Sequence, residues 1–402
     1  MRFTYLAMLL FLCFINYVNA DTHPVVLISI DGFANEYLDK YSPPNILKLA
    51  KKGVRAKALL PVYPSKTFPN HISIVTGMYP ANHGIIHNRF YHPRINQNYK
   101  LGAGKNNSDW LTAKPIWTMA EQRGIKTGLF FWPESEATIE GVSATYNIPY
   151  NGGIPNKTRI DKIIQWLKLH KSEQPQFIAS YFSTVDTAGH FYGPESKEVE
   201  LAIKEVDELI GMLVEKIEAE VKEKVNIVLV SDHGMTLSGK VNAISVADLL
   251  KPHSEIKVVN GQTQLYIYSE NEQLLNDTRS QLSKQENKFT VYQKGNFPEH
   301  WHFNTRLVAI PDLIINATPP YTFYMPGDDY GNATHGYDAK NIRALDAVFI
   351  ASGPDFKQGL MIEPFENIHI FPMLLQLLNI KSSKKVDGKV EVLSPILISS
   401  TH

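Results

Sequence analysis

Cysteine is almost missing from this chain: the one residue, Cys13, lies in an apolar leader. A protein cut after that leader has no disulfides, so its stability has to come from a buried core, which 402 residues are enough to build. An excess of one charge is missing as well. The 40 Lys and Arg balance the 40 Asp and Glu, with no long run of either sign. This argues against a nucleic-acid-binding patch or a polybasic membrane patch, and any anionic ligand has to be held by a local site. Beyond the leader no apolar stretch reaches transmembrane length, residues 392–399 included, so no transmembrane anchor is expected. Internal repeats and low-complexity tracts are also absent.

Arg2, an apolar run over 6–18 and Val18-Asn19-Ala20 ahead of Asp21 form the pattern of a secretory signal over 1–20, cleaved after Ala20. The expected protein is exported, periplasmic or extracellular. Sequons at Asn106, Asn156, Asn276, Asn316 and Asn332 matter only where the host glycosylates.

Residues 25–30 are a continuous apolar, β-branched run that stops at Asp31-Gly32, the pattern of a strand buried on both faces. Similar runs occupy 127–131, 177–181, 225–230 and 347–350, and helical patterns occupy 46–51, 116–123, 159–170 and 199–219. The alternation predicts an α/β fold, a mostly parallel central sheet with helices on both faces. Residues 255–329 read differently. Short segments at 263–268, 289–292 and 306–310, without helical spacing, predict a smaller β-rich insertion.

Ligands of such sheets sit beyond the carboxyl ends of the strands, and polar residues cluster there. Asp31 follows the first strand, Asp186 and His190 lie four residues apart after the 177–181 run, Asp232-His233 follow Val230-Ser231, and His335 sits in a glycine-punctuated loop. Asp186 and His190 suit one metal ion from a helical turn or tight loop. Each piece also has an ordinary reading: Asp-Gly as a turn, Asp-x-x-x-His as a helical surface pair. Together, at successive strand ends, the six form a candidate metal centre. Thr67, between Pro64 and Pro69, is a candidate hydroxyl nucleophile in what otherwise reads as a surface turn.

With these motifs in view, the chain resembles the nucleotide pyrophosphatase/phosphodiesterase family of the alkaline phosphatase superfamily, in its compact form with a catalytic domain only. The resemblance runs through Asp31-Gly32, Tyr63-Pro64-Ser65-Lys66-Thr67-Phe68-Pro69-Asn70-His71, His83-Gly84-Ile85-Ile86-His87-Asn88, Trp132-Pro133, Asp186 to His190, Ser231-Asp232-His233-Gly234-Met235 and His335-Gly336-Tyr337-Asp338. It implies one catalytic domain over 21–400 with two zinc ions. Asp186, His190 and His335 would hold one ion, and Asp31, Asp232 and His233 the other, with the Thr67 oxygen beside the second. Two divalent ions against three carboxylates leave one positive charge, which attracts a phosphodiester monoanion. The implied path is attack by Thr67, a covalent threonyl-phosphate, then hydrolysis.

Asn88 matches the family's phosphate-binding asparagine, and Phe68 and Tyr150 match the aromatics that sandwich a nucleobase. Tyr181 is a further candidate for the pocket wall. Lys66 is left out, because neighbours along an extended segment point apart. The expected activity is hydrolysis of nucleotide pyrophosphates and phosphodiesters to nucleoside 5'-monophosphates. The alternatives are a phospholipid-headgroup, choline-type phosphodiesterase, a phosphomonoesterase, or a non-catalytic metal-binding protein on the same fold. Phe182-Ser183-Thr184-Val185 lacks the acidic pair found in many animal members of the family.

Overall fold

The apolar run nearest the amino terminus becomes the middle of the molecule. The structure, a computed structural model, describes residues 22–250, 253–285, 287–305, 307–328, 331–381 and 385–398; the leader, with Cys13 and Ala20, lies outside them, as does Arg306. Strand β1 (Val25–Ile30) is buried along its whole length. Val26, Ile28 and Ile30 point into one apolar cluster and Val25 and Leu27 into the other, so the strand shows no polar alternation.

In chain order the sheet continues with β2 (Val54–Ala56), β3 (Thr127–Phe130), β4 (Tyr146–Ile148), β5 (Phe177–Phe182) and β6 (Asn226–Val230). A separate sheet follows, made of β7 (Lys257–Asn260), β8 (Gln264–Tyr268), β9 (Phe289–Gln293) and β10 (Leu313–Ala317). The chain then returns to the first sheet with β11 (Phe349–Ser352) and β12 (Leu360–Ile362). The central sheet has the order β12-β2-β11-β6-β1-β5-β3-β4. Its pairs are parallel except those of β11, which runs against both β2 and β6. The mostly parallel sheet expected from the alternation is therefore observed.

Helices cover both faces. Ile46 and Leu49 of α1 (Pro44–Lys52) join one cluster, and Ile74 and Val75 of α2 (Thr67–Thr76) and Trp117 of α3 (Ile116–Glu121) the other. On the α1 side lie α4 (Asn156–Leu167) and, after α5 (Thr184–Tyr192), the long α6 (Lys197–Glu220), whose Ser196 accepts a hydrogen bond from the Val199 N–H as an N-cap. Each fully buried Ile or Leu at this interface stabilises the fold by about 1.5–3 kcal/mol. None of the described helices is long and apolar enough to cross a membrane.

The second sheet is antiparallel, in the order β7-β8-β10-β9. Two details depart from expectation. A helix, α7 (Glu272–Leu282), capped by the Asn271 side chain, connects β8 to β9, although its sparse apolar positions give little helical signal. Residues 307–310 form a turn rather than a strand; Pro311 lacks the N–H that would continue a ladder, and the strand starts after it. This region also grips the loop ahead of Thr67. Trp301 stacks on Tyr63 at 3.7 Å, and the Tyr63 hydroxyl donates to Asn316 Oδ1 at 3.0 Å. Gln264 Nε2 donates to the Gly336 carbonyl at 2.8 Å, beside His335.

Candidate active site

Strands β6, β1 and β5 are neighbours, so the three carboxylate-bearing strand ends meet at one edge of the sheet. Asp31 leaves β1 and accepts, through its backbone carbonyl, the N–H of Asp186 at 3.0 Å. Gly32 makes this approach feasible: its φ is +70°, and a Cβ there would lie 2.8 Å from Asp186 Cα. Asp186 and His190 sit one turn apart on α5, of the two settings open for them the helical one. His335 follows a short bridge of Ala333–Thr334 with Thr236–Leu237.

The six side chains converge. His190 Nε2 lies 3.1 Å from His335 Nε2 and 3.4 Å from Asp186 Oδ1, and the latter two are 3.6 Å apart. His233 Nε2 lies 3.5 Å from Asp31 Oδ1, 2.9 Å from Asp232 Oδ2 and 3.4 Å from Thr67 Oγ1. Ligands at about 2.0–2.1 Å from a tetrahedral ion are about 3.4 Å apart, so both groups have the span of a metal's donor set. The triads whose donor atoms all lie within 4.8 Å of one another are Asp186, His233, His335 and Asp31, Asp232, His233; they share His233 and omit His190, unlike the expected division, and are consistent with a binuclear metal site.

Hydrogen bonds behind these atoms support the same reading. His190, His233 and His335 each place Nδ1 within 2.8–2.9 Å of a backbone carbonyl, of Ala333, Gly234 and Ser65 respectively. With Nδ1 as donor, each Nε2 presents a lone pair inward. The lone pairs of His190 and His335 then face each other at 3.1 Å, which is repulsive unless a cation lies between them. Asp31 Oδ1, Asp186 Oδ1 and Asp232 Oδ2 are buried without a hydrogen-bond partner, and all three point into the cluster. Orphaned carboxylate oxygens in an apolar surrounding are costly, and a divalent cation satisfies them.

The electrostatics agree. Burial, then the neighbouring Asp186 and Asp232, raise the Asp31 carboxyl well above its ordinary range, and burial with Asp186 pushes Asp232 up to about 8. Burial lowers His233, and burial followed by His233 and Lys66 lowers His335 well below the usual imidazole range. Without a cation the carboxyls favour protons and the imidazoles favour neutrality.

Thr67 does not sit in a surface turn. It opens α2 at the first helical position, with Lys66 still extended before it. Pro69 is tolerated because a first-turn N–H has no intrahelical partner, and Asn70 ties the loop by accepting from the Val62 N–H and donating to the Pro64 and Lys66 carbonyls. His71, one turn on and pulled down to about 3 by burial, bridges Ser29 Oγ and the Thr67 carbonyl.

A cleft of about 480 Å³ opens over Thr67, lined also by Phe68, Asn88, Tyr150 and Tyr181. Asn88 Oδ1 accepts the Phe68 N–H at 2.9 Å. Tyr150 is 59% exposed and packs on Phe131 at 5.2 Å. Tyr181 lines the cleft and donates its hydroxyl to Asp31 Oδ2, a role its sequence position did not suggest.

Lys66 also lines the cleft, contrary to its exclusion above. Extended Lys66 and helical Thr67 are not alternate positions of one strand, so both face the same space. Burial pulls its ammonium down to about 7. Gly336, at φ +114°, leaves room for its stem. A larger cleft of about 890 Å³, lined by Arg94, Lys114 and Lys385, holds none of the six residues.

A mostly parallel sheet carrying acidic and imidazole clusters beside a hydroxyl is consistent with a hydrolase built around a binuclear metal site, and comparison with known proteins makes the class particular. The family described as Type I phosphodiesterase / nucleotide pyrophosphatase matches residues 25–338, and this chain belongs to it. The chain is 37% identical over 385 residues to human ectonucleotide pyrophosphatase/phosphodiesterase family member 1, covering 90% of this chain and 40% of that protein. It is 34% identical over 394 residues to the Schizosaccharomyces pombe uncharacterized pyrophosphatase/phosphodiesterase C725.05c, covering 91% and 79%.

The chain thus spans about two fifths of the length of ectonucleotide pyrophosphatase/phosphodiesterase family members 1 and 3. Human ectonucleotide pyrophosphatase/phosphodiesterase 5 superposes with a TM-score of 0.87 at 28% identity, covering 94% of this chain and all of the other. The murine form, also similar (TM-score 0.86, 26% identity, 94% and 100% covered), has been solved as an inactive threonine-to-alanine variant with AMP.

Proposed function

We propose that this chain is a two-zinc hydrolase that cleaves nucleotide pyrophosphates and phosphodiesters to nucleoside 5'-monophosphates through a covalent Thr67 intermediate. The observation that carries the reading is one cleft lined by Asp31, Asp186, His190 and His335 together with Thr67, Phe68 and Tyr150, with Asp232 and His233 packed beside it to complete three orphaned carboxylate oxygens and three inward imidazole nitrogens. Asp186, His190 and His335 would hold one ion, and Asp31, Asp232 and His233 the other. Bound zinc supplies Lewis acidity and lowers the pKa of an adjacent hydroxyl.

Thr67 Oγ1 attacks phosphorus, the bond to the leaving group breaks, and phosphorus stays on Thr67 until water displaces it. The start of α2 adds the positive end of a helix dipole at the phosphoryl oxygens. With Oδ1 held by the Phe68 N–H, the Asn88 amide is left with its NH2 to donate to a non-bridging oxygen. Phe68 and Tyr150 sandwich the base, contributing on the order of 1–3 kcal/mol per contact, with Tyr181 as a wall. The AMP complex of the murine relative supports nucleotide binding. The apolar leader supports export to the periplasm or outside the cell.

The test is steady-state hydrolysis by zinc-loaded protein of a 4-nitrophenyl nucleotide diester, 4-nitrophenyl phosphate and glycerophosphocholine. The nucleotide diester should have the highest kcat/KM by at least about a hundredfold. A phosphomonoester or choline diester turned over faster contradicts the proposal.

A further inference from the structure

We propose that Glu134 is a positioning residue for the nucleobase subsite, a buried carboxylate that clamps residues 99–104 so that Leu101 and Phe68 form one wall of the cleft. The inference rests on the nucleotide reading above and names what sets that wall.

Glu134 follows β3 by way of Phe131, Trp132 and Pro133 and is 4% exposed, with φ at +58°. A non-glycine residue in the left-handed region and a buried carboxylate are both unfavourable, and a fold keeps them where neighbouring structure over-determines them. Three donors do so here. Glu134 Oε1 accepts the Gly102 N–H at 3.0 Å and the Tyr99 hydroxyl, and Oε2 accepts the Gly104 N–H at 2.8 Å. The other side is shaped to match, because a Cβ on Gly104 would lie 2.2 Å from Oε2.

Two arms lead from this carboxylate to the cleft. Through Gly102 it fixes the turn carrying Leu101, an apolar side chain left 57% exposed at the cleft wall. Through Tyr99 it fixes a ring that stacks on Phe90 at 4.9 Å and meets the edge of Phe68 at 6.3 Å. Phe68 adjoins Thr67, so the clamp sets the aromatic wall relative to the attacking oxygen. None of the six candidate metal ligands hydrogen-bonds Glu134, so the clamp bears on substrate orientation and not on the metal centre.

The test compares wild type, Glu134→Ala, Glu134→Gln and Leu101→Ala on the 4-nitrophenyl ester of thymidine 5'-monophosphate and on methyl 4-nitrophenyl phosphate, which has no base. Glu134→Ala should raise KM for the nucleotide ester about tenfold while kcat/KM for the methyl ester stays within about twofold. Glu134→Gln keeps the Oε1 bonds but sets a donor against the Gly104 N–H, so its effect should be intermediate.

Leu101 is exposed, so Leu101→Ala should fold normally and move KM the same way by a smaller factor, which covers the case of an unfolded Glu134 variant. Equal losses on both esters, or an unchanged KM for the nucleotide ester, overturn the clamp. A wild type without preference for the nucleotide ester overturns instead the nucleotide reading on which the clamp depends.

Discussion

The candidate metal cluster and the aromatic wall above it share one cleft but are built in opposite ways. Asp31, Asp232, His233 and His335 are buried, they hang on strand ends or hydrogen-bonded loops, and each imidazole is pinned through Nδ1 to a backbone carbonyl. Tyr150 and Leu101 stand on loops and are more than half exposed. Groups that bear on reacting atoms sit where the backbone cannot shift, and groups that choose a substrate sit where side chains can change without disturbing the core. Tyr181 touches both regions, with its ring in the cleft and its hydroxyl on Asp31.

The sharpest break of this contrast comes from the buried side. Asp232→Asn keeps the shape but removes a donor of negative charge, and kcat should fall at least about a thousandfold with zinc content reduced, read by turnover and elemental analysis. Tyr181→Phe probes the boundary. Loss of its hydrogen bond to Asp31 should lower kcat by about 10–100-fold, more than it raises KM. Tyr150→Ala probes the open side and should raise KM for nucleotide esters about tenfold with kcat nearly unchanged. If Tyr150→Ala lowered kcat as much as Tyr181→Phe, the division between the two regions would not hold.

The smallest effect is on stability. In metal-free protein Asp232 titrates at about 8 instead of the ordinary 3.8. The folded chain then binds a proton at Asp232 that the unfolded chain has lost, so the contribution of Asp232 to stability falls as pH rises from 3.8 to about 8. The lowered His71, His233 and His335 act in the opposite sense, so the readout is the Tm of chelated wild type relative to chelated Asp232→Asn protein, which should fall between pH about 5 and about 8. Zinc should flatten the slope, because the ion replaces the proton. A wild type that gains on Asp232→Asn as the pH rises contradicts this.

The central sheet was legible because its strands are buried on both faces, and 25–30 or 225–230 need only an apolar run to be recognised. Five of the six metal-ligand candidates were legible because they follow those runs, and His335, in a glycine-punctuated loop, through the family resemblance. What was missed has weaker local signals. α7 carries few apolar residues, and its cap, Asn271, reads as an ordinary loop residue. Thr67 was singled out as the candidate nucleophile, but its helical setting was not seen because two prolines flank it, although a proline in the first turn of a helix costs little. Lys66 and Glu134 owe their place in the cleft to burial and to partners distant in sequence, which no spacing rule exposes.

The most direct test of the account is turnover of the 4-nitrophenyl nucleotide ester by Thr67→Ala protein in which two zinc ions per chain have been verified by elemental analysis. Intact metal content with kcat reduced at least about a thousandfold is the expected result. Undiminished turnover by the fully loaded variant would contradict the assignment of Thr67 as the nucleophile.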